Sequence, residues 1–350
     1  MTNQAAFSTR LVVLAVGASL LATPAQAQKA GATYRLGWLE VCGPGPQRPH
    51  LALFRARLAD LGYVEGKNLV IKQRFADCHY ERIARLAAEL AQLPVDVLFT
   101  IGTRATRIVA AAVKSTPVVT YSCDPFVHVS RLARPGGNVT GVTCMTSELM
   151  PKRLEILKEL VPTTRRVTFL QDPEAATNAF ELTQEAAKRL GVQLRSAEVT
   201  VAEELEPELA AIAKDRPDGL LVYPDMVLSS HPRPRQLGDF AIKAGIPTMH
   251  AFRFYVDAGG LISYGATSTE VYTNAAEQVA KVLSGTKAGE LPLRQATRFE
   301  MVINNQTAKA LGITVPATLL ARADDWAAGG RRRGDRIARS ISTFGTSPTS

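Results

Sequence analysis

Short apolar runs rich in β-branched residues alternate along this chain with stretches in which apolar residues recur every three or four positions. That alternation is the grammar of βα units, and it predicts parallel strands covered by helices on both faces of a sheet. Tyr34 to Leu39 reads as a first strand, and Leu51, Phe54, Leu58 and Leu61 mark the apolar stripe of the helix after it. Asn68 to Gln73 follows as a strand, Ile83, Leu86, Leu90 and Leu93 as a stripe, and Val95 to Ile101 as a buried strand. A further helix opens at Thr103, and Pro117 to Ser122 is the next strand.

A second series with the same pattern begins after Gly141. Leu149, Leu154, Leu157 and Leu160 form a stripe that leads into a strand at Arg166 to Leu170. Helices over 176–190, 203–214 and 234–244 then alternate with strands at Gln193 to Val199, Gly219 to Tyr223 and Ile246 to His250. Leu-Gly closes a helix at Leu61-Gly62, Leu190-Gly191 and Leu311-Gly312, where glycine adopts the left-handed cap conformation at low cost. Beyond the second series stand a strand at Gly260 to Gly265, a helix over 270–284, a strand at Arg298 to Asn304 and a short helix at Thr307 to Leu311. If one of these returns to the first sheet and the others join the second, the chain crosses between lobes several times, which makes a hinge and a cleft. The predicted fold class is therefore α/β: two doubly wound parallel-sheet lobes joined by a multi-crossover hinge.

Composition changes this picture at the ends. Arg10, the apolar run Leu11 to Leu21 and then Ala25-Gln26-Ala27 have the layout of a cleaved signal peptide over 1–27. The apolar run is shorter than the roughly 20 residues a membrane span needs, so export to the periplasm is expected rather than anchoring. Of the formal charge of +9, +4 sits at the end, where Arg331, Arg332, Arg333, Arg336 and Arg339 face only Asp335. This reads as a basic, disordered tail over 329–350 rather than a nucleic-acid surface.

Catalytic signatures are missing. No G-x-S-x-G turn, phosphate loop or H-E-x-x-H helix occurs, and the prolines in Gly43-Pro44-Gly45-Pro46 remove the N–H donors that a phosphate cradle uses. Four cysteines without a CxxC pair and five scattered histidines argue against a zinc site. No enzyme activity, metal or cofactor is therefore expected.

In an open parallel sheet, ligands bind beyond the carboxyl ends of the strands. Gly102-Thr103-Arg104 opens a helix there, and its free N–H groups favour an anion. Thr103 serves there as a cap, a ligand contact or both, and Arg104 meets an anion or points to solvent. Asp124, Asp172 and Asp225 end other strands, where each is either a turn residue or a receiver for an ammonium group. Asp225, followed by apolar Met226 and Val227, is the strongest of the three. Tyr264, at the end of a strand, either stacks on a ligand from the hinge side or packs in the core.

The chain carries LGYVEGKNLVI at Leu61 to Ile71, LARPGGNVTGVT at Leu132 to Thr143, KRLEILKELVP at Lys152 to Pro162 and GGLISYGA at Gly259 to Ala266. Leu291-Pro292, FEMVINNQTAKALGITVP at Phe299 to Pro316 and LLARAD at Leu319 to Asp324 complete the series in order. Together these phrases resemble the substrate-binding proteins of ABC transporters related to the tryptophan- and phenylalanine-type binding proteins. The resemblance implies a type I periplasmic binding protein-like fold and a Venus-flytrap mechanism. Two lobes close on a small molecule, an amino acid being the expected kind, and deliver it to a permease with its ATPase. Carried over by position, the ligand-binding residues are Gly102, Thr103, Cys123, Asp124, Asp172, Asp225 and Tyr264. Where the family has a glycine-bearing stretch after Asp124-Pro125, this chain has Phe126-Val127-His128-Val129-Ser130.

The organisation expected on this basis is a first lobe over 33–141 plus 262–290 and a second over 142–261 plus 291–328. A monomer that touches the membrane only through the permease and binds no nucleic acid is expected. The alternative is a periplasmic sensor reporting to a membrane receptor. Cys42 and Cys78 lie just past the first two strands and are the first candidates for a disulfide, with Cys123 and Cys144 the second pair.

Overall fold

The computed structural model describes residues 31–43, 49–124, 129–176 and 178–327. The expected signal peptide, the basic tail and the segment Pro125 to His128 lie outside these residues. The first lobe begins with β1 (Tyr34–Glu40), α1 (Pro49–Asp60), β2 (Leu69–Phe75), α2 (Ile83–Gln92) and β3 (Val97–Ile101). It continues through α3 (Thr103–Ala112), β4 (Val118–Ser122) and β5 (Val139–Thr143). β5 is not among the strands the periodicity predicts, and the lobe boundary expected at Gly141 falls at its centre. Its five residues are too few for alternation to show, and Gly141 there lets the backbone of Thr120 approach so closely that a β-carbon would collide with it.

The second lobe takes α4 (Thr146–Leu160), β6 (Arg166–Gln171), α5 (Ala179–Leu190), β7 (Gln193–Glu198), α6 (Leu205–Asp215) and β8 (Gly219–Val222). Then come α7 (Met226–Ser229), α8 (Arg233–Ala244), β9 (Thr248–His250), α9 (Arg253–Asp257) and β10 (Ile262–Ala266). The chain returns to the first lobe for α10 (Ser268–Leu283) and β11 (Arg294–Gln295). It ends in the second with β12 (Phe299–Asn304), α11 (Asn305–Ala310), α12 (Ala317–Arg322) and β13 (Asp325–Ala327). The sheets run β11-β5-β4-β3-β1-β2 and β13-β12-β10-β9-β8-β6-β7. All pairs are parallel except β10 with β12.

The sheet pairing moves the expected lobe boundaries. β10 joins β9 and β12 in the second sheet, so residues 262–266 belong to the second lobe and the crossing follows Ala266. β11 pairs with β5, so Arg294-Gln295 belongs to the first. Periodicity marks elements but not partners, and a hydrogen-bonded ladder decides the sheet. α10 is bound to the first lobe by Glu277, which accepts from Arg57 at 2.7 Å and from Arg294, and by Tyr63, whose hydroxyl donates to the Ala280 carbonyl at 3.3 Å.

The chain therefore crosses between lobes at Cys144-Met145, at Thr267 and at Ala296 to Arg298. The second and third crossings run together, for Thr267 N–H donates to the Arg298 carbonyl at 3.0 Å and Glu270 accepts the N–H groups of Thr297 and Arg298. The third is also tied to the first, since Ala296 N–H donates to the Thr143 carbonyl at 2.9 Å.

One apolar core fills the first lobe around Trp38, whose ring meets Phe54 at 5.0 Å and Phe99 at 4.6 Å. It continues into the second lobe through Val222, Val227 and Tyr255, while a second core lies under α4 and α5. No described helix is long and apolar enough to cross a membrane.

Cys42 is disulfide-bonded to Cys78 and Cys123 to Cys144, with Cα atoms 4.2 and 5.0 Å apart. Both bonds join neighbouring strands just past their carboxyl ends. Ellman titration of the unreduced, folded protein is expected to find no free thiol; four thiols would refute both bonds. The first bond closes a sequence separation of 36 residues. Chain entropy therefore assigns the Cys42→Ser/Cys78→Ser variant a loss of about 3 to 4 kcal/mol in unfolding free energy, to be read from urea denaturation.

Candidate functional site

The carboxyl ends of the two sheets face each other, and the loops that leave them hold the polar residues of the cleft. On the first-lobe side Gly102 precedes α3 at φ 102°, a left-handed-side conformation that side chains resist. A β-carbon there would lie 2.6 Å from Met226 Cγ of the second lobe, so the absence of a side chain also lets the lobes approach. Thr103 is the first residue of α3 and is not its side-chain cap. Its Oγ1 accepts from Asp124 N–H at 3.2 Å and from Ser122 Oγ at 3.3 Å, so it fastens the loop after β4. Asp124 is buried in that loop, beside the Cys123–Cys144 bond.

Arg104 resolves in favour of an anion. It reaches across the cleft, where Nη1 lies 3.2 Å from Asp172 Oδ2 and Nη2 3.1 Å from Glu174 Oε1. Its guanidinium carbon stands 4.1 Å from the ring centre of Tyr80, a cation–π contact that covers the other face of the group. Arg107 adds a second bridge to Glu174 at 2.6 Å. Because Asp172 and Glu174 follow β6, these are bonds between lobes, and the cleft is closed. The Cys42–Cys78 disulfide also meets the second lobe, with Met226 O 3.6 Å from Cys42 Sγ and Arg233 Nη1 3.7 Å from Cys78 Sγ.

Asp225 follows β8. Its Oδ1 accepts from Val227 N at 2.6 Å and Leu228 N at 3.0 Å and so caps α7. Its Oδ2 is buried and has no hydrogen-bond partner among the described residues. Burial, then the nearby charge of Asp172, pushes its pKa up to about 7. Asp172 is also raised, by burial first, against the pull of Arg104. Burial, then Asp225 and Asp172, pushes the Tyr80 hydroxyl well above the ordinary phenol value. Tyr223 ends the strand side of the same loop, its hydroxyl 3.3 Å from Ser147 Oγ and 3.2 Å from the Ala175 carbonyl, to which it donates.

Gly102, Arg104, Asp172 and Asp225 are thus gathered with Tyr80 and Met226, while Thr103, Cys123 and Asp124 build the adjoining first-lobe wall. Tyr264 stands apart. Its ring packs with the second core, tilted against Phe299 at 6.4 Å, which is the core alternative for this residue. Tyr80 is absent from the sequence reading, although it sits in the loop after β2, where the strand-end rule applies. Arg153, within α4, carries no sequence signal. Among the described residues no group of three or more His, Cys, Asp or Glu is placed to hold a metal ion.

Comparison with known proteins places the chain. The family profile described as ABC transporter substrate binding protein matches residues 52–327. A tyrosine-binding protein of Clostridioides difficile (strain R20291) is 25% identical over 264 residues, which are 74% of this chain and 75% of that protein. A solved conserved domain protein from Vibrio cholerae O1 biovar El Tor superposes with a TM-score of 0.77 at 27% identity, covering 84% of this chain and 100% of that one. The ABC domain in complex with L-Trp from Streptococcus pneumonia superposes with a TM-score of 0.75 at 22% identity, covering 85% and 100%. More distant solved binding proteins share the same type I periplasmic fold.

The folded protein keeps a proton on Asp225 that the unfolded chain releases, since its pKa rises from 3.8 to about 7 on folding. Ligand-free stability should therefore fall as pH rises from about 4 through 7, and Asp225→Asn should remove that part of the slope. Thermal melts across this range check it: the stability advantage of D225N over the parent must widen with pH, and a constant difference refutes the assignment. Arg104→Met should leave Asp172 buried without its cation and weaken the closed form by about 3 to 5 kcal/mol. Small-angle scattering of ligand-free R104M is expected to show a larger radius of gyration than the parent; superimposable curves would refute the bridge as a closing contact.

Proposed function

The chain belongs to the ABC transporter substrate-binding protein family, and on that premise we propose that it captures an amino acid in the periplasm and hands it to its transporter's permease. Family and fold neighbours are solute-binding proteins, not enzymes. The observation that carries the amino-acid reading is Asp225 Oδ2, a buried acceptor in the cleft with no donor of its own. An unmatched carboxylate oxygen in low dielectric calls for a cationic donor, and an ammonium group brings three N–H bonds to it. The amino acids bound by the two named relatives support the same class. Both disulfides suit an oxidising compartment, and the export signal read from residues 1–27 supplies the route.

Closure supplies selectivity. In the shut cleft Asp225, Tyr80 and the Arg104–Asp172 bridge are out of water, so a guest that leaves one of them unpaired loses about 1 to 3 kcal/mol for each. Delivery requires a monomer only. Thermal-shift screening against amino acids, sugars, purines and small carboxylates tests the reading. A matching amino acid at about a hundred times its dissociation constant should add roughly 2.7 kcal/mol and be recovered chemically unchanged. A shift from a neutral sugar and from no amino acid would overturn it.

A further inference from the structure

Arg153 lies two turns into α4 and is fully buried. Its Nε donates to the Tyr264 carbonyl at 2.7 Å, and its Nη1 to the Thr146 carbonyl at 3.2 Å with the Met150 sulfur at 2.9 Å. Nη2 is buried without a hydrogen-bond partner among the described residues. No carboxylate of the described residues forms an ion pair with it. The side chains that feel its charge include Tyr223, Tyr264, Tyr121 and His250, none of them a carboxylate. His250 is buried, stacked on Tyr255 at 4.7 Å, and its pKa is pushed down to about 3 by burial and then by Arg153. Burial lowers the guanidinium itself to about 10, so it stays charged at neutral pH. A buried cation with no anion is a costly arrangement that folding alone does not favour.

The position of this cation is what makes it informative. The carbonyls it holds belong to Thr146, at the first crossing, and Tyr264, in the strand that leads to the second. The same helix start reaches the end of β8 through Ser147, whose Oγ lies 3.3 Å from the Tyr223 hydroxyl, and the charge of Arg153 is felt by Tyr223 and by Tyr121 in β4 of the first lobe. Tyr223 also feels the charge of Asp225. Tyr223 therefore feels, besides Asp124, a buried guanidinium that has no ion pair among the described residues and the buried carboxyl of Asp225, which has none either.

Resting on the amino-acid reading above, we propose that Arg153 is the receiver of the ligand's carboxylate. Its unpartnered Nη2 faces that group while Asp225 Oδ2 takes the ammonium, so one zwitterion completes both sites. The lobe that holds both charges reads the α-carboxylate and α-ammonium together, and an amine or a carboxylic acid alone leaves one charge stranded.

The test compares each free L-amino acid with its carboxamide in titration calorimetry, for the parent protein, Arg153→Gln and Arg153→Lys. The parent is expected to bind one or more free amino acids and to bind the matching carboxamide on the order of 100-fold more weakly, the scale of losing one partner of a buried charge pair. R153Q should lose a similar factor for the acid while its carboxamide affinity stays within threefold of the parent's, and R153K should fall between. Circular dichroism and the carboxamide titration report folding independently of the carboxylate. If R153Q keeps the parent's affinity for the acid, or weakens acid and carboxamide equally, Arg153 is a hinge clamp and the assignment fails while amino-acid binding stands. If no amino acid binds the parent, the amino-acid reading falls and takes this assignment with it.

Discussion

A carboxylate withdrawn from water without a cation beside it is the condition around which the cleft of this protein is arranged. Asp225 is held there by its own backbone neighbours, since Val227 and Leu228 donate to one oxygen and fix the carboxyl at the start of α7. The other oxygen is left over. Desolvation raises the energy of the charged form, and the adjacent Asp172 raises it further. On the amino-acid reading proposed above, an ammonium group beside Asp225 offsets a cost already built into the fold.

Asp172 shows what the same group does when it is satisfied. It lies as deep, but Arg104 crosses from the first lobe to reach it, with Tyr80 covering the guanidinium from behind. The pair exists only while the lobes are together, so it belongs to closure rather than to the stability of either lobe. Opening exposes Arg104 and Asp172 to water, which hydrates both well, and the free-energy difference between the states is the small remainder of large opposing terms. A ligand needs only a modest differential affinity to shift such a balance.

The hinge makes this exchange possible without loosening the sheets. Three passages of chain lie side by side, hydrogen-bonded through Thr143, Thr267, Arg298 and Glu270, and each lobe keeps its own ladder of parallel strands. The disulfides reinforce the first-lobe rim only: each joins loops leaving adjacent strands of one sheet, so neither ties one lobe's sheet to the other. Cys78 holds the loop that carries Tyr80, and Cys123 the loop that carries Asp124. Half the cleft wall is thereby stiff before a guest arrives, which reduces the ordering cost of binding.

The sequence by itself determined the βα alternation, the strand ends at Ile101 and Ser122, those at Leu170 and Tyr223 to within one residue of the observed Gln171 and Val222, and the family. Each follows from local periodicity or a run of consecutive residues. Which sheet β10 and β11 join, and that Val139 to Thr143 is a strand, required the tertiary structure, because hydrogen-bond partners come from residues far away in the chain. The same holds within the site. The sequence shows Asp225 as a carboxylate at a strand end but not its missing partner; it leaves Arg104 facing either an anion or solvent, which Asp172 decides; and it shows Arg153 as any charged residue on a helix. Charge is written in one residue, whereas burial and pairing are properties of what the rest of the chain brings around it.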